Sequence, residues 1–111
     1  MNNFDKNLNT KFDEFYKLKF KLQQAGIPFE DCSYFDTVFG PFMQLRYPSK
    51  DRCWSDVVFH KHSYGYDEGL LEMLGLTGPD VGVFTADEVF DIWKKNATRS
   101  GFIKKEENSN D

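Results

Sequence analysis

Hydrophobic residues in this chain repeat with two different periods, and the change between them falls at Gly26. Before Gly26 they follow steps of three and four, which is the spacing of one face of an α-helix. The members of this stripe are Leu8, Phe12, Phe15, Leu18, Leu22 and Ala25. After Gly26, apolar and polar residues alternate, as in a strand with one buried face. Separate blocks of helical and strand periodicity predict an α+β domain.

The first block predicts a helix over residues 5–25, which ends at Gly26 because glycine is the usual residue just beyond a helix. The alternating block predicts a three-stranded antiparallel meander over residues 29–62. Its strands are expected near residues 29–35, 39–47 and 52–61. In the third strand Cys53, Ser55, Val57 and Phe59 share one face. That face is the better candidate for the core, and the opposite face carries Trp54 and Asp56.

The last third of the chain predicts two C-terminal helices. Asp67 is a suitable N-cap for a short helix that runs to Leu74 and ends at Gly75. Thr85 and Glu88 have the spacing of a capping box, which predicts a second helix ending near residue 96. The predicted architecture is therefore an N-terminal helix, a three-stranded meander, and two C-terminal helices packed on one face. We expect residues 1–103 to form a single domain and residues 104–111 to be a flexible polar tail.

Composition excludes several classes of protein. Aromatic residues make up 17% of the 111 residues, far more than disordered chains contain. The formal net charge of −4 argues against a general nucleic-acid coat, so no direct contact with nucleic acid is expected. No apolar run approaches the roughly 20 residues that a membrane span needs. The first six residues contain no apolar signal segment. We therefore expect a cytoplasmic protein that contacts no membrane.

His60 and His62 are two residues apart in the predicted third strand and share a face with Asp56. Two imidazoles and a carboxylate form a weak candidate for a metal site. The spacing matches no specific ligand motif, so the favoured interpretation is a solvent-facing polar row without metal.

Cys32 and Cys53 fall on different predicted strands, where they could pair, act as nucleophiles or pack as small apolar residues. Nothing nearby in sequence would lower a thiol pKa or orient a base, so packing is the favoured interpretation. The glycines match no phosphate-binding loop. We therefore predict no catalytic residues, no cofactor and no enzymatic activity.

Acidic residues are concentrated in residues 63–92, which contain seven carboxylates and neither lysine nor arginine. Such a run is commonly a solvated surface, but it could also face a basic partner. The predicted partner-binding residues combine the acids of the expected short helix with nearby or outward-facing aromatics. They are Asp67, Glu68, Glu72, Tyr64, Tyr66, Tyr16 and Phe20. Glu68 and Glu72 are four apart and would share a helix face. Tyr16 and Phe20 either widen the buried face of the first helix or form an exposed patch, which leaves a homodimer as an open alternative.

Several stretches of the chain carry a resemblance to known proteins. They read AGIPF at residues 25–29, DVVFH at 56–60, GLLEMLGL at 69–76 and VGVFTADEVF at 81–90. Over residues 20–94 the chain resembles a family of small, mostly uncharacterised proteins encoded by phages and prophages of Gram-positive bacteria. The resemblance implies a mobile-element origin and action in the cytoplasm of the bacterial host, and it supplies no catalytic residues. The chain departs from the family pattern in its tail and in the Phe-rich residues 35–42.

The leading hypothesis is a non-enzymatic interaction protein that inhibits a host defence nuclease, of the anti-CRISPR or anti-restriction type. It would bind a host protein, for example a nuclease complex, through an acidic surface. The alternative is a regulatory or accessory factor of phage transcription or replication that binds a host or phage protein. A small metal-dependent enzyme that uses His60 and His62 ranks last.

Overall fold

The structure is a computed structural model that describes residues 10–105. Two helices and six strands are present in this part of the chain, with one short 3₁₀ turn between the fourth and fifth strands. In chain order they are α1 (Asp13–Ala25), β1 (Glu30–Asp31), β2 (Tyr34–Asp36), β3 (Gly40–Pro48), β4 (Cys53–Phe59), the 3₁₀ turn (Tyr66–Glu68), β5 (Leu71–Leu74), β6 (Gly82–Phe84) and α2 (Ala86–Arg99).

The strands form one antiparallel sheet in the order β1-β3-β4-β5-β6. The short strands β1 and β2 both pair with β3. Strand β1 lies opposite Leu45 and Arg46, and β2 lies opposite the stretch from Gly40 to Phe42. The register between β3 and β4 places Phe42 beside His60, one pair beyond Met43 and Phe59. The same end of β3 pairs with β2 to form a hairpin.

Both helices pack against the same face of the sheet. Helix α1 contributes Phe15, Leu18 and Leu22 to the core, and α2 contributes Val89, Trp93 and Ala97. The sheet contributes alternate residues of its three longest strands, which are Leu45, Tyr47, Val57, Phe59, Leu71 and Met73. Because both described helices lie on this face, the opposite face has no helix over it within residues 10–105.

Contacts between the helices fix the start of α2. Thr85 and Glu88 form the predicted capping box, and the Glu14 carboxylate of α1 accepts a hydrogen bond from the Ala86 amide at 2.7 Å. Lys17 and Lys21 of α1 both bind the Asp87 carboxylate, at 3.2 and 2.6 Å. Negative charge at a helix N-terminus is favourable because the helix dipole is positive there.

The prediction of a three-stranded meander with two C-terminal helices is wrong. The segment predicted to be the first of these helices contains the 3₁₀ turn and then strand β5, and β6 follows it. Gly69 adopts a left-handed conformation (φ +74°) and ends the turn after three residues. Beyond it Leu71 and Met73 are buried on one face of β5. A short apolar run of leucines fits both periods, and here pairing with β4 determines the outcome.

Gly75 ends β5 rather than the expected helix. It has φ +94°, and a Cβ at this position would collide with the Trp54 carbonyl of β4. A glycine is required here because the two backbones approach closely.

The predicted core face of β4 is confirmed for three of its four residues, since Ser55, Val57 and Phe59 are buried. Cys53 is exposed instead. The register between β3 and β4 shifts between Tyr47 and Pro48. The Trp54 ring contacts the buried Tyr47 ring, with centroids 5.9 Å apart. A bulge of this kind changes which face the residues beyond it occupy, so the Trp54 ring and not Cys53 reaches the core side.

Some predictions fall outside the described residues. They concern the first turn of the predicted N-terminal helix, including Leu8, and the tail from residue 106 onward. Within residues 10–105, neither helix has the length and apolar character that crossing a membrane requires.

Candidate functional site

Exposed apolar side chains are concentrated at the β2–β3 hairpin. Tyr34, Phe35, Val38 and Phe39 are 54%, 70%, 77% and 54% exposed. We refer to these four residues as the hairpin surface. Single exposed apolar side chains are ordinary on a protein surface, but here four lie within residues 34–39, and local concentrations of exposed apolar residues are typical of interaction sites.

The turn that presents this surface is held by its own hydrogen bonds. The Asp36 carboxylate accepts from the backbone amides of Val38 and Phe39, at 2.8 and 2.9 Å. These two bonds lower the pKa of Asp36, because they stabilise its charged form. Gly40 closes the loop with φ +88°, a conformation that favours glycine. These bonds and the conformation of Gly40 give the turn a defined geometry.

Stacked rings join the hairpin to β4. The Phe42 ring stacks on Tyr34 at 4.8 Å and on His60 at 4.3 Å, with interplanar angles of 18° and 11°. The Phe39 ring meets the His62 ring edge-on at 5.0 Å. Aromatic pairs of this kind stabilise a fold beyond their buried area, by roughly 0.5–1.5 kcal/mol each. They hold the hairpin against the end of β4.

A shallow cavity of about 250 Å³ lies between these rings. Its lining includes Tyr34, Asp36, Phe39, Phe42 and His60. Small-molecule sites usually enclose roughly 300–1,000 Å³, so this cavity has the size for one side chain of a partner rather than for a whole cofactor.

The predicted metal ligands do not converge. The Nδ1 atom of His60 accepts a hydrogen bond from the His62 amide at 3.2 Å, and Asp56 accepts one from Gln44 at 3.0 Å. Burial lowers the pKa of His60, and His62 acts in the same direction while Glu72 opposes it. Among residues 10–105, no group of three His, Cys, Asp or Glu side chains is placed to hold a metal ion. The two histidines instead belong to the ring cluster.

The structure separates the acidic residues that the sequence grouped together. Asp67 and Glu68 are exposed in the 3₁₀ turn, whereas Glu72 lies in β5 and accepts from the Tyr64 amide at 2.8 Å. Glu68 and Glu72 therefore share no helix face. Farther along the chain, Asp87 pairs with two lysines of α1 and Glu88 closes the capping box. Several of the seven carboxylates thus have structural partners.

The predicted aromatic contacts occupy different environments. Tyr16 and Phe20 are 54% and 61% exposed on the outer side of α1. They therefore form an exposed patch and do not widen the buried face of the helix. Tyr64 is also exposed, at 68%. Tyr66 is half-buried. Its ring packs on Phe59 at 4.8 Å, and the Lys11 ammonium lies 4.2 Å from its centroid.

Neither cysteine is paired. Cys32 is half-buried between β1 and β2, and Cys53 is exposed at the start of β4. Partial burial and the nearby Asp56 carboxylate raise the pKa of the Cys53 thiol. A raised pKa reduces the thiolate fraction at neutral pH, which is unfavourable for a nucleophile.

None of the four residues of the hairpin surface was among the partner-binding residues predicted from the sequence. The sequence showed Phe35, Phe39 and Phe42 only as a departure from a family pattern. A more specific signal was present, because Asp36 and Gly40 bracket a three-residue turn between two aromatic runs. That spacing predicts a hairpin whose tip carries Val38 and Phe39.

No protein-family model matches this chain, and no curated protein or solved structure matches it at a significant level.

Proposed function

We propose that this chain is a non-enzymatic protein-binding domain that contacts its partner through the hairpin surface. One observation carries the proposal. Among the described residues, seven large apolar side chains are more than half exposed, and four of them lie within residues 34–39. Interface hot spots are enriched in aromatic residues of this kind.

The conformation of the hairpin supports the same proposal. Its turn is held by Asp36, and its strands are held by the Tyr34–Phe42–His60 stack. A surface that is already ordered loses little conformational entropy when it binds. Burial of its exposed apolar area is favourable by about 25 cal/mol per Å². Binding would therefore gain from the apolar contact without first having to order the loop.

The class of partner is inferred from the family resemblance. A phage-type protein would act in the cytoplasm of its bacterial host, and we propose a host defence nuclease or its complex as the target. The dispersal of the carboxylates favours an apolar contact over the acidic surface expected from the sequence. Asp67, Glu68 and Tyr64 would then lie outside the main contact.

The experiment compares two double variants that remove similar exposed side chains. Phe35→Thr with Val38→Thr changes the hairpin and keeps residues suited to strands and turns. Tyr16→Gln with Phe20→Gln changes the exposed patch of α1 and keeps helix-forming residues. Tagged proteins would be used to capture partners from a Gram-positive host lysate, with quantitative mass spectrometry of the bound fraction. We expect the parent and the α1 variant to enrich the same protein, and the hairpin variant to lose it at least about tenfold.

Melting curves of all three proteins must agree for the comparison to hold, because exposed substitutions usually change stability by less than about 0.5 kcal/mol. Retention of the partner by the hairpin variant would refute the proposed surface. If the captured protein is a polymerase subunit or a replication protein instead of a nuclease, the regulatory alternative replaces the inhibitor. If the parent forms a dimer that the hairpin variant cannot form, the hairpin is a self-association surface and the proposal fails.

A further inference from the structure

The cavity of about 250 Å³ beside the hairpin combines aromatic rings with one carboxylate. Tyr34, Phe39 and Phe42 supply its phenyl rings, and Asp36 is the only acidic residue in its described lining. That lining, within residues 10–105, contains neither lysine nor arginine. Binding sites are complementary in charge to their ligands, so a ligand of this cavity should be a cation.

The Asp36 carboxylate has one oxygen available for such a ligand. Its Oδ1 atom accepts both turn amides, from Val38 and Phe39. Within residues 10–105 no hydrogen bond reaches its Oδ2 atom. The amide bonds from Phe39 and Val38 lower the pKa of Asp36, so the carboxylate is charged at neutral pH. It can therefore hold the turn through one oxygen and accept from a bound cation through the other.

Two of the rings have surface left for a ligand. Phe42 does not, because Tyr34 stacks on it at 4.8 Å and His60 at 4.3 Å. Tyr34 and Phe39 are each 54% exposed, and each contacts a single other ring within the described chain. An aromatic ring attracts a cation that lies within about 6 Å of its centroid. Tyr34 and Phe39 are therefore the rings that can contact a cation in this cavity.

The imidazole of His60 does not oppose a cation. Its Nδ1 atom accepts a hydrogen bond from the His62 amide at 3.2 Å, and an accepting nitrogen carries no proton. Burial lowers the pKa of His60, which keeps the ring neutral at neutral pH. The His60 side of the cavity therefore adds no positive charge.

Among the cationic side chains, arginine fits these features best. Its guanidinium is planar, stacks on aromatic rings and presents several N–H donors to a carboxylate, whereas the lysine ammonium is compact and strongly hydrated. We infer that the cavity binds an arginine side chain of the partner protein, with the guanidinium against Tyr34 and Phe39 and an N–H donating to Asp36 Oδ2. This inference rests on the proposed function, because it names the residue that the hairpin surface recognises.

The test is an NMR titration of the isotope-labelled full chain with N-acetylarginine amide, followed at the backbone amides of Val38 and Phe39. The lysine and citrulline derivatives serve as comparisons, since citrulline has nearly the shape of arginine but no charge. We expect saturable shifts with the arginine derivative. The lysine derivative should bind at least about threefold more weakly, and the citrulline derivative should give no saturable shift.

Two variants separate the carboxylate from the ring. Asp36→Asn removes the charge and keeps an oxygen for the turn amides, because asparagine forms the same kind of turn. It should weaken binding of the arginine derivative about fivefold. Phe39→Leu keeps an apolar side chain without the ring and should weaken binding about threefold. Asp51→Asn is the matched control: Asp51 is exposed in the turn after β3, outside the cavity, and should stay within about twofold of the parent.

Equal binding of the arginine and citrulline derivatives would overturn the inference, as would equal weakening by Asp36→Asn and Asp51→Asn. Amide spectra that match the parent outside the hairpin exclude unfolding as the cause of lost binding.

Capture from the host lysate distinguishes this inference from the proposed function, since Phe35 and Val38 lie outside the cavity lining. We expect Asp36→Asn to reduce the captured partner severalfold. If Phe35→Thr with Val38→Thr loses the partner and Asp36→Asn retains it in full, the hairpin surface stands and the arginine contact is refuted. If the hairpin double variant retains the partner, the proposed function itself fails.

Discussion

Two aromatic clusters in this molecule have nearly the same ring geometry but opposite surroundings. In the core, Tyr47 and Trp93 stack at 5.1 Å with an angle of 19°, and both are fully buried. At the hairpin, Tyr34 and Phe42 stack at 4.8 Å with an angle of 18°, and Tyr34 is 54% exposed. Ring stacking alone therefore does not separate a structural cluster from a binding surface.

The polar atoms around the rings separate the two clusters. The Tyr47 hydroxyl donates to Asn96 at 2.6 Å, and Trp93 Nε1 donates to Ser55 Oγ at 3.0 Å. Ser55 in turn donates to the Leu74 carbonyl at 2.8 Å. The core cluster is thus closed, with its polar atoms satisfied and its apolar area buried. The hairpin cluster is ordered on its inner side and leaves Phe35 and Val38 in water, so much of its apolar area is available for a partner.

The largest effect that we expect is a loss of stability when the core cluster is disrupted. Trp93→Ala should lower the free energy of unfolding by about 3–5 kcal/mol, because it removes a buried ring and leaves a cavity. Urea unfolding measures this change. If Trp93→Ala is too unstable to purify, Trp93→Phe tests the same point with a smaller loss. A change below about 1 kcal/mol would mean that this cluster is no more structural than the hairpin.

A smaller effect is predicted for the hydroxyl of Tyr47. Tyr47→Phe removes one buried hydrogen bond, which is worth about 1 kcal/mol at neutral pH. Burial raises the pKa of Tyr47 from 10.0 to about 12, and the Arg99 guanidinium partly opposes the shift. The folded state favours the neutral phenol, so this contribution is complete below about pH 10 and is lost as the pH rises towards about 12.

Urea unfolding of parent and Tyr47→Phe at a series of pH values tests this. The stability difference between the two proteins should shrink as the pH rises above 10.0, the ordinary pKa of tyrosine. A difference that stays constant up to the onset of alkaline unfolding would show that the hydroxyl titrates as freely as in the unfolded chain.

The sequence predicted secondary structure correctly where one hydrophobic period extended over enough residues to indicate a single type of element. The helical stripe through Phe15, Leu18 and Leu22 was confirmed, and so was the capping box that opens α2. It failed at Leu70 to Leu74, because a short run of leucines fits a helix and a strand equally well. What decided the outcome was the neighbouring strand β4, which is a tertiary contact and leaves no mark in the local pattern.

The candidate site was harder to predict than the fold. Charge is visible in a sequence, which is why the carboxylates of residues 63–92 were considered as a possible binding surface. Their partners, such as the lysines of α1 that bind Asp87, come from a distant part of the chain. Exposure of an apolar residue cannot be obtained from its identity, since Phe15 is buried and Phe35 is not. The hairpin surface depends on which side chains the fold leaves uncovered.

Site-specific photo-crosslinking in living cells would test whether the hairpin surface contacts a partner protein. A photoreactive phenylalanine analogue would replace Val38 in one protein and Tyr16 in another, since both residues are more than half exposed. Each protein would be expressed in a Gram-positive host and irradiated. We expect a light-dependent adduct of higher mass from position 38 and none of comparable yield from position 16. No adduct from position 38, or equal adducts from both positions, would contradict it.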